Sequence, residues 1–321
     1  MGRGGVYYQK YLQTGPTTPQ SQPVPVQPQL TSEPELANVI LTASASSLQD
    51  SSANELLQEI TLHYNKASIA PIVIGVTGFV LIICMAASLT IWADIALVLV
   101  GAVAHALATK ADYKRKAIHL DYALEPEAGR AYVGLLQGIE QLRTLGGLWR
   151  ISSGEVNANT KYNAGAQYSI KRKSIAAKFE SPRFISTDAA VYMLNAGPQK
   201  FYFLPDRILV YQDDQIGAVS YGSLTFSVAP SNFVETDSVP YDSEIVSTTW
   251  RYTNKGGGPD RRFANNPQIP VVRYANIGMQ SSGGLNYLIQ ASNMQKATAF
   301  VQAVKSYGAH LASTIQPALP G

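Results

Sequence analysis

The stretch Lys255-Gly-Gly-Gly-Pro-Asp-Arg-Arg262 sets consecutive glycines beside the cations Lys255, Arg261 and Arg262. Bare N–H groups at Gly256, Gly257 and Gly258 next to fixed positive charge are the chemistry that holds a phosphate. The Gly-x4-Gly-Lys-Ser/Thr order and the helix of a P-loop are missing. The competing reading is a long hairpin turn in which Asp260 pairs with a neighbouring arginine. A second basic cluster, Lys171, Arg172 and Lys173, is followed by Lys178 and Arg183. Near an anionic leaflet such residues gain about 1 kcal/mol each; a solvated strand face explains them equally well.

Catalytic constellations are harder to find. His63, His105 and His119 lie near an apolar segment, and His310 lies in the C-terminal tail. A Ser-His-Asp or histidine metal site in the intervening β-rich stretch would need a residue from elsewhere. The single cysteine, Cys84, excludes an intrachain disulfide framework and a cysteine zinc site. Asp206 and Asp260 each follow a proline and precede an arginine, which suits a turn cap with a salt bridge better than an acid/base pair. A hydrolase-type enzyme using Asp206 or Asp260 is therefore the less favoured reading, and no metal or cofactor is expected.

The elements that must position these residues begin with a membrane segment. From Ile69 to Thr109 the one formal charge is Asp94. As one helix this run would be about 60 Å long, roughly twice the ~30 Å hydrocarbon thickness. The expectation is a transmembrane hairpin over residues 69–109: one span over 69–87, a turn through 88–94, and a second span over 95–109 that can start nearer Ile91. Trp92 suits an interface and Asp94 suits water. Lys110, Lys114, Arg115 and Lys116 follow the second span and Lys66 precedes the first, so the positive-inside rule places both flanks in the cytoplasm. His105 is either an intramembrane functional group or a side chain that reaches the interface near Lys110. Ala96, Gly101, Ala104 and Ala108 allow close helix approach.

Around the hairpin the domain plan reads as follows. Residues 1–31 form a Pro/Gln-rich disordered tail. Residues 32–66 are helical, with Ser32 and Glu35 as a capping box. Residues 110–147 form a juxtamembrane segment and an amphipathic helix with the stripe Tyr132, Leu135, Leu136, Ile139 and Leu142. Residues 148–308 form a β-rich cytoplasmic domain, and 309–321 a tail. Strands are expected over 200–204, 207–211, 216–221, 224–228, 245–250, 270–274 and 285–289, then a helix over 293–307 with Ala297, Phe300, Val301 and Val304 inward. The fold class is thus an α+β membrane protein: a helical transmembrane hairpin, then a mostly antiparallel β domain with a C-terminal helix. About seven strands and one helix is the order of small pleckstrin-homology-like barrels, an analogy that carries no function. Trp149-Arg150 recurs as Trp250-Arg251, with Tyr162 matching Phe263 and Arg172 matching Arg273 at the same offset. These matches leave a duplicated β-unit open.

The blocks Lys161-Tyr-Asn-Ala-Gly-Ala166, Phe201-Tyr-Phe-Leu-Pro-Asp-Arg207, Asn254-Lys-Gly-Gly-Gly-Pro-Asp-Arg-Arg-Phe263 and Ser282-Gly-Gly-Leu285 resemble an uncharacterised family of bacterial membrane-anchored proteins. The resemblance covers roughly residues 110–308. It implies a bacterial source, hence an inner membrane, and nothing chemical. A formal charge of +3 is too small to imply nucleic-acid binding. The expected function is a membrane-tethered cytoplasmic interaction module, recognising an anionic lipid headgroup or a protein partner at the inner membrane surface. A scaffold subunit of a membrane complex, or a homo-oligomer, is the alternative.

Overall fold

The computed structural model describes residues 6–9, 42–48, 54–87, 90–156, 162–164, 166 and 168–315. The elements begin with β1 (Val6–Gln9), a 3-10 turn (Ala45–Ser47), α1 (Asn54–Tyr64), α2 (Ala70–Ala86), α3 (Ile91–Lys116), β2 (Ile118–Leu120) and α4 (Pro126–Arg143). Next come β3 (Leu148–Val156), β4 (Tyr168–Ser174), β5 (Ala176–Phe179), β6 (Ile185–Thr187), β7 (Tyr192–Asn195), β8 (Lys200–Phe203) and β9 (Ile208–Gln212). The remaining described elements are β10 (Gln215–Val219), β11 (Leu224–Val234), β12 (Glu244–Trp250), β13 (Gln268–Ser281), β14 (Asn286–Ala291) and α5 (Met294–Ile315). The protein is α+β, with mostly antiparallel sheets and a C-terminal helix.

Two compact units emerge. The first collects the described parts of Met1–Asp50, Leu124–Glu180 and Val191–Gly321; the second is formed by Ser51–Ala123 and Ser181–Ala190.

In the first unit one sheet runs β11-β1-β4-β3-β14-β13-β12, and β11 also pairs with β13, so six strands close into an antiparallel barrel. The 14-residue β13 makes this possible. One edge pairs with β11 along its length; the other takes β12 on its first half and β14 on its second. Register puts Ile151, Ile170, Phe233, Val272 and Tyr274 together as a buried cluster, with Trp149 and Leu288 against it. The second sheet, β10-β9-β8-β7-β5, is built from short apolar runs. Phe201, Tyr202 and Phe203 and the run Ile208–Tyr211 are all buried, as in a sheet covered on both faces. Phe201 meets Tyr287 edge-on, and Phe300 of α5 meets both Phe203 and Phe226.

α4 starts with Pro126 in its first turn, where the absent N–H costs nothing. It buries Tyr132, Leu135, Ile139 and Leu142. It crosses α5 at Gly138, where a Cβ would stand 2.3 Å from Ala303 Cβ. α5 is capped by Asn293, whose Oδ1 accepts the Lys296 N–H at 3.1 Å.

The second unit holds α1–α3 with β2 and β6, a short parallel pair. α3 is long and apolar enough to cross a membrane. The start of α2 meets the end of α3: Asp112 Oδ2 accepts the N–H groups of Ile69 and Ala70 at 2.7 and 2.8 Å, completing the first turn of α2. His105 Nδ1 lies 3.3 Å from the Ala70 carbonyl, so this histidine joins the two helices through a backbone bond. Farther along, Gly101 receives Thr77 so closely that a Cβ would lie 2.2 Å from its methyl.

Several sequence expectations change. Val6–Gln9, expected in a disordered tail, is a barrel strand, because Val-Tyr-Tyr carries strand propensity and the ladder groups of β4 and β11 supply partners. Of the expected 32–66 helix, Asn54–Tyr64 is helical as α1. Residues 42–48 instead form a strap, with Ala43 N–H to Gly284 O and Ala218 N–H to Leu48 O both at 2.9 Å. Their Ser-rich sequence favours side-chain-to-backbone bonds over helix; Ser47 Oγ, for example, donates to Ser44 O at 2.8 Å. Ser32 and Glu35 lie outside the described residues. α3 begins at Ile91, the earlier start allowed for the second span, and continues past the expected end at 109 to Lys116. α5 extends beyond the expected 293–307 to Ile315. The domain has sheets of seven and five strands, exceeding the seven-strand barrel plan.

Candidate functional site

The glycine block belongs to a lobe between β12 and β13. A bridge between Thr253 and Pro259 closes its tip. Asn254 organises the turn: its Oδ1 accepts the Gly256 and Gly258 N–H groups at 2.9 and 3.0 Å, and its carbonyl accepts the Gly257 N–H at 3.1 Å. Gly257, at φ +81°, needs the left-handed backbone that glycine adopts freely. All three glycine N–H groups are therefore engaged within the turn, and the expected phosphate nest at Gly256–Gly258 is closed. Asp260, 6 % exposed, accepts from the Arg262 backbone and from its guanidinium at 3.0 and 2.8 Å. The hairpin-turn reading holds for these residues.

The lobe nonetheless gathers charge on an aromatic base. Tyr252 and Phe263 stack with centroids 4.1 Å apart, and Tyr162 meets both edge-on. The Ala164 N–H donates to Arg251 O, and Thr249 Oγ1 donates to Ala164 O. Described residues of two sequence blocks some ninety positions apart thus converge here. Arg251, Lys255, Arg261 and Arg262 are exposed around this base, and the one carboxylate among them, Asp260, is committed to Arg262. The lobe can meet an anion through side-chain cations, not through its glycines.

The second cluster divides. On β4 successive side chains alternate, so Lys171 and Lys173 are exposed while Arg172 is buried. Arg172 Nη2 meets Glu235 Oε2 at 2.5 Å, with both side chains almost fully enclosed (1 % and 0 % exposed). Its Nη1 donates to Gln290 Oε1 at 2.8 Å, and its guanidinium lies 4.0 Å from the Trp149 ring centroid and 4.4 Å from that of Phe233. Tyr274 donates its hydroxyl to Glu235 Oε2 at 2.6 Å. Burial, then this hydrogen bond, pushes the Tyr274 phenol up. Arg172 is thus a barrel-interior residue, and its inclusion among surface ligand-binding residues is corrected. The period-two register that puts it on the face of Ile170 was the available signal.

Sequence reasoning missed a cleft of about 380 Å³ lined by Glu140, Arg143, Ala177, Lys178, Phe179 and Tyr192. Arg143 grips Glu140 with two N–H groups at 2.7 and 2.5 Å, and Tyr192 donates to the same carboxylate at 2.8 Å. Those bonds, Arg143 first, hold the Glu140 carboxyl below its ordinary range. Burial and the bond to Glu140 raise the Tyr192 phenol. The carboxylate is a closed structural clamp.

Asp206 pairs with Arg207 Nε at 2.5 Å, as Asp260 does with Arg262. Both candidate acids are tied to an arginine one or two residues away. Among the described residues no group of three or more His, Cys, Asp or Glu side chains is placed to hold a metal ion.

In the second unit the cations beyond the apolar helices have separate tasks. Lys116 Nζ donates to Tyr64 O and Ser68 Oγ at 3.0 and 2.9 Å and lies over the Phe184 ring. Arg115 donates to the Ala67 carbonyl and to Asp112. Lys66 Nζ meets His63 Nε2 at 3.1 Å and Arg115 O at 3.4 Å. Lys110 and Lys114 stay exposed.

No family model, curated protein or solved structure matches this chain.

Proposed function

We propose that the chain is a membrane-tethered interaction module: α2 and α3 cross a bilayer as a hairpin, and the β domain works at the inner membrane surface, recognising an anionic headgroup. The observation that carries this reading is the exposure of large apolar side chains around both helices. Ile72, Val76, Phe79 and Ile82 on α2 are 57–67 % exposed, and Trp92, Leu99, Val103 and Leu107 on α3 are 61–76 % exposed. Burying so many side chains of this kind in hydrocarbon gains roughly 1.5–3 kcal/mol each.

Chain topology supports two crossings over one. The strap at 42–48 precedes the helices, yet it hydrogen-bonds to Ala218 and Gly284, which follow them. Contacts of this kind on both flanks of the helical insertion support an even number of crossings. At 1.5 Å per residue the 26 residues of α3 reach about 39 Å and the 17 of α2 about 26 Å, so α2 is the shorter partner. The cations after α3 support a cytoplasmic location for the shared side by the positive-inside rule. The exposed cations of the lobe, Arg251, Lys255 and Arg261, supply the charge for anion recognition.

Full-length protein mixed with liposomes tests this directly. Incorporation that resists alkaline carbonate is expected, with tighter association on adding anionic lipid. In a Cys84→Ala background, an impermeant thiol reagent outside intact cells should label Asp94→Cys and spare Lys305→Cys. Protein that stays monodisperse in plain buffer without detergent would overturn the tether. Equal association with neutral and anionic vesicles would favour a protein partner or scaffold role.

A further inference from the structure

We infer that Lys110 and Lys114, with Thr109 and Tyr113, form a binding site on α3 for the phosphate of an anionic phospholipid. The inference rests on the tether reading and deepens it by naming a lipid class and the residues that select it.

Cations cluster at the end of α3, but Lys66, Arg115 and Lys116 bind carbonyls and side chains of their own unit. Among the described residues no hydrogen bond or ion pair engages Lys110 or Lys114. They stand four positions apart with Tyr113 between, a spacing that sets all three on neighbouring positions of one helix face. With Thr109 they line a hollow of about 310 Å³. Tyr113 is 48 % exposed and leans against Phe184, with centroids 5.9 Å apart. An amphipathic ring held in this way suits the headgroup level.

Two further features point to a lipid. Val103 and Leu107 continue the line of Lys110 and Lys114 toward the apolar end of the helix, and they are 61 % and 62 % exposed. One stripe therefore offers an acyl chain its apolar part and a phosphate its basic part. The carboxylate between them in sequence, Asp112, is buried and committed to Ile69, Ala70 and Arg115, so it does not compete for the lysines. Two ammonium groups that no carboxylate pairs with among the described residues favour a headgroup whose phosphate charge is uncompensated over a zwitterionic one. At about 1 kcal/mol per lysine near the surface the preference is about fivefold for each.

The test uses full-length protein reconstituted in phosphatidylcholine with trace spin-labelled phosphatidylglycerol or phosphatidylcholine, reading the motionally restricted fraction of each label. Wild type should favour phosphatidylglycerol by at least about fivefold, less at high salt. The Lys110→Gln/Lys114→Gln variant should bring the two labels near parity, whereas Lys305→Gln, on α5, should leave the ratio unchanged. A double variant that keeps the wild-type preference, with unchanged circular dichroism, would overturn the site while leaving the tether standing. Absence of restricted lipid of either kind would overturn the tether itself.

Discussion

Replacing Arg172 by methionine removes the cation from a carboxylate that cannot reach water. Glu235 would keep two donors, the Tyr274 hydroxyl at 2.6 Å and the Asp237 N–H at 3.1 Å, but no countercharge. Breaking a buried pair in this way costs about 3–5 kcal/mol. Lost contact with the Trp149 and Phe233 rings adds on the order of 1 kcal/mol, and methionine recovers part of that by filling the space. A net loss of about 4 kcal/mol, at ~2–4 °C per kcal/mol for a domain of this size, lowers Tm by roughly 8–16 °C. Removing both charges, Arg172→Met with Glu235→Leu, spares the stranded carboxylate and should recover most of that loss. Thermal unfolding of the full-length protein in detergent, followed by circular dichroism, measures both variants. A single variant melting within about 2 °C of the parent, or a double variant falling as far as the single, would refute the idea that the pair is held by mutual neutralisation.

Three shorter predictions follow from the same geometry. Gly217→Ala puts a Cβ 2.1 Å from Ala45 O and should cost about 1–3 kcal/mol, whereas Gly222→Ala, with open space around it, should change stability little; parallel denaturant titrations compare them. Asn254→Ala removes the acceptor for the Gly256 and Gly258 N–H groups and should cost about 1 kcal/mol locally, seen as faster proteolytic nicking of the 251–263 lobe and unchanged global Tm. Burial raises the phenols of Tyr132, Tyr274, Tyr287 and Tyr307, the last two to about 12. The folded state holds these protons more tightly than the unfolded state, so their contribution is complete below pH 10 and is lost as pH rises toward 12. Phenolate absorbance should rise in two steps, exposed tyrosines first and the buried set together with loss of circular dichroism. A single smooth step with folded protein throughout would contradict their burial.

Much of the second sheet was legible because Phe201–Phe203 and Ile208–Tyr211 are unbroken apolar runs between turn residues, and such runs need little context. The stripes of α4 and α5 were legible for the same reason. β3 and β4 were not: Arg150, Ser152 and Ser153, and then Lys171 and Lys173, interrupt them, and their apolar faces acquire meaning only once the barrel is closed. The strap was invisible because nothing local to Ala43, Ala45 and Leu48 names the strands they join. At the candidate site Lys255, Arg261 and Arg262 were singled out for their charge, and all three side chains are exposed. The glycines were misread because an asparagine before them can absorb the N–H groups that an anion would use. Arg172 looked like its two lysine neighbours; the period-two register that turns it inward and a partner 63 residues away, Glu235, separate it from them.

The strap also sets an order of events during synthesis. Ala45 hydrogen-bonds to Gln212, made 167 residues later, and Thr42 to Asn286, made 244 residues later. At ribosomal speeds of roughly 5–20 residues per second the earliest of these partners is about eight to thirty seconds away. During that interval α2 and α3 have already left the ribosome, so the greasy pair must find its solvent while the clasp is still open. A fragment beginning after α3 would lack the clasp altogether, leaving β10 bare along one edge and inviting the edge-to-edge aggregation that unpaired strands provoke.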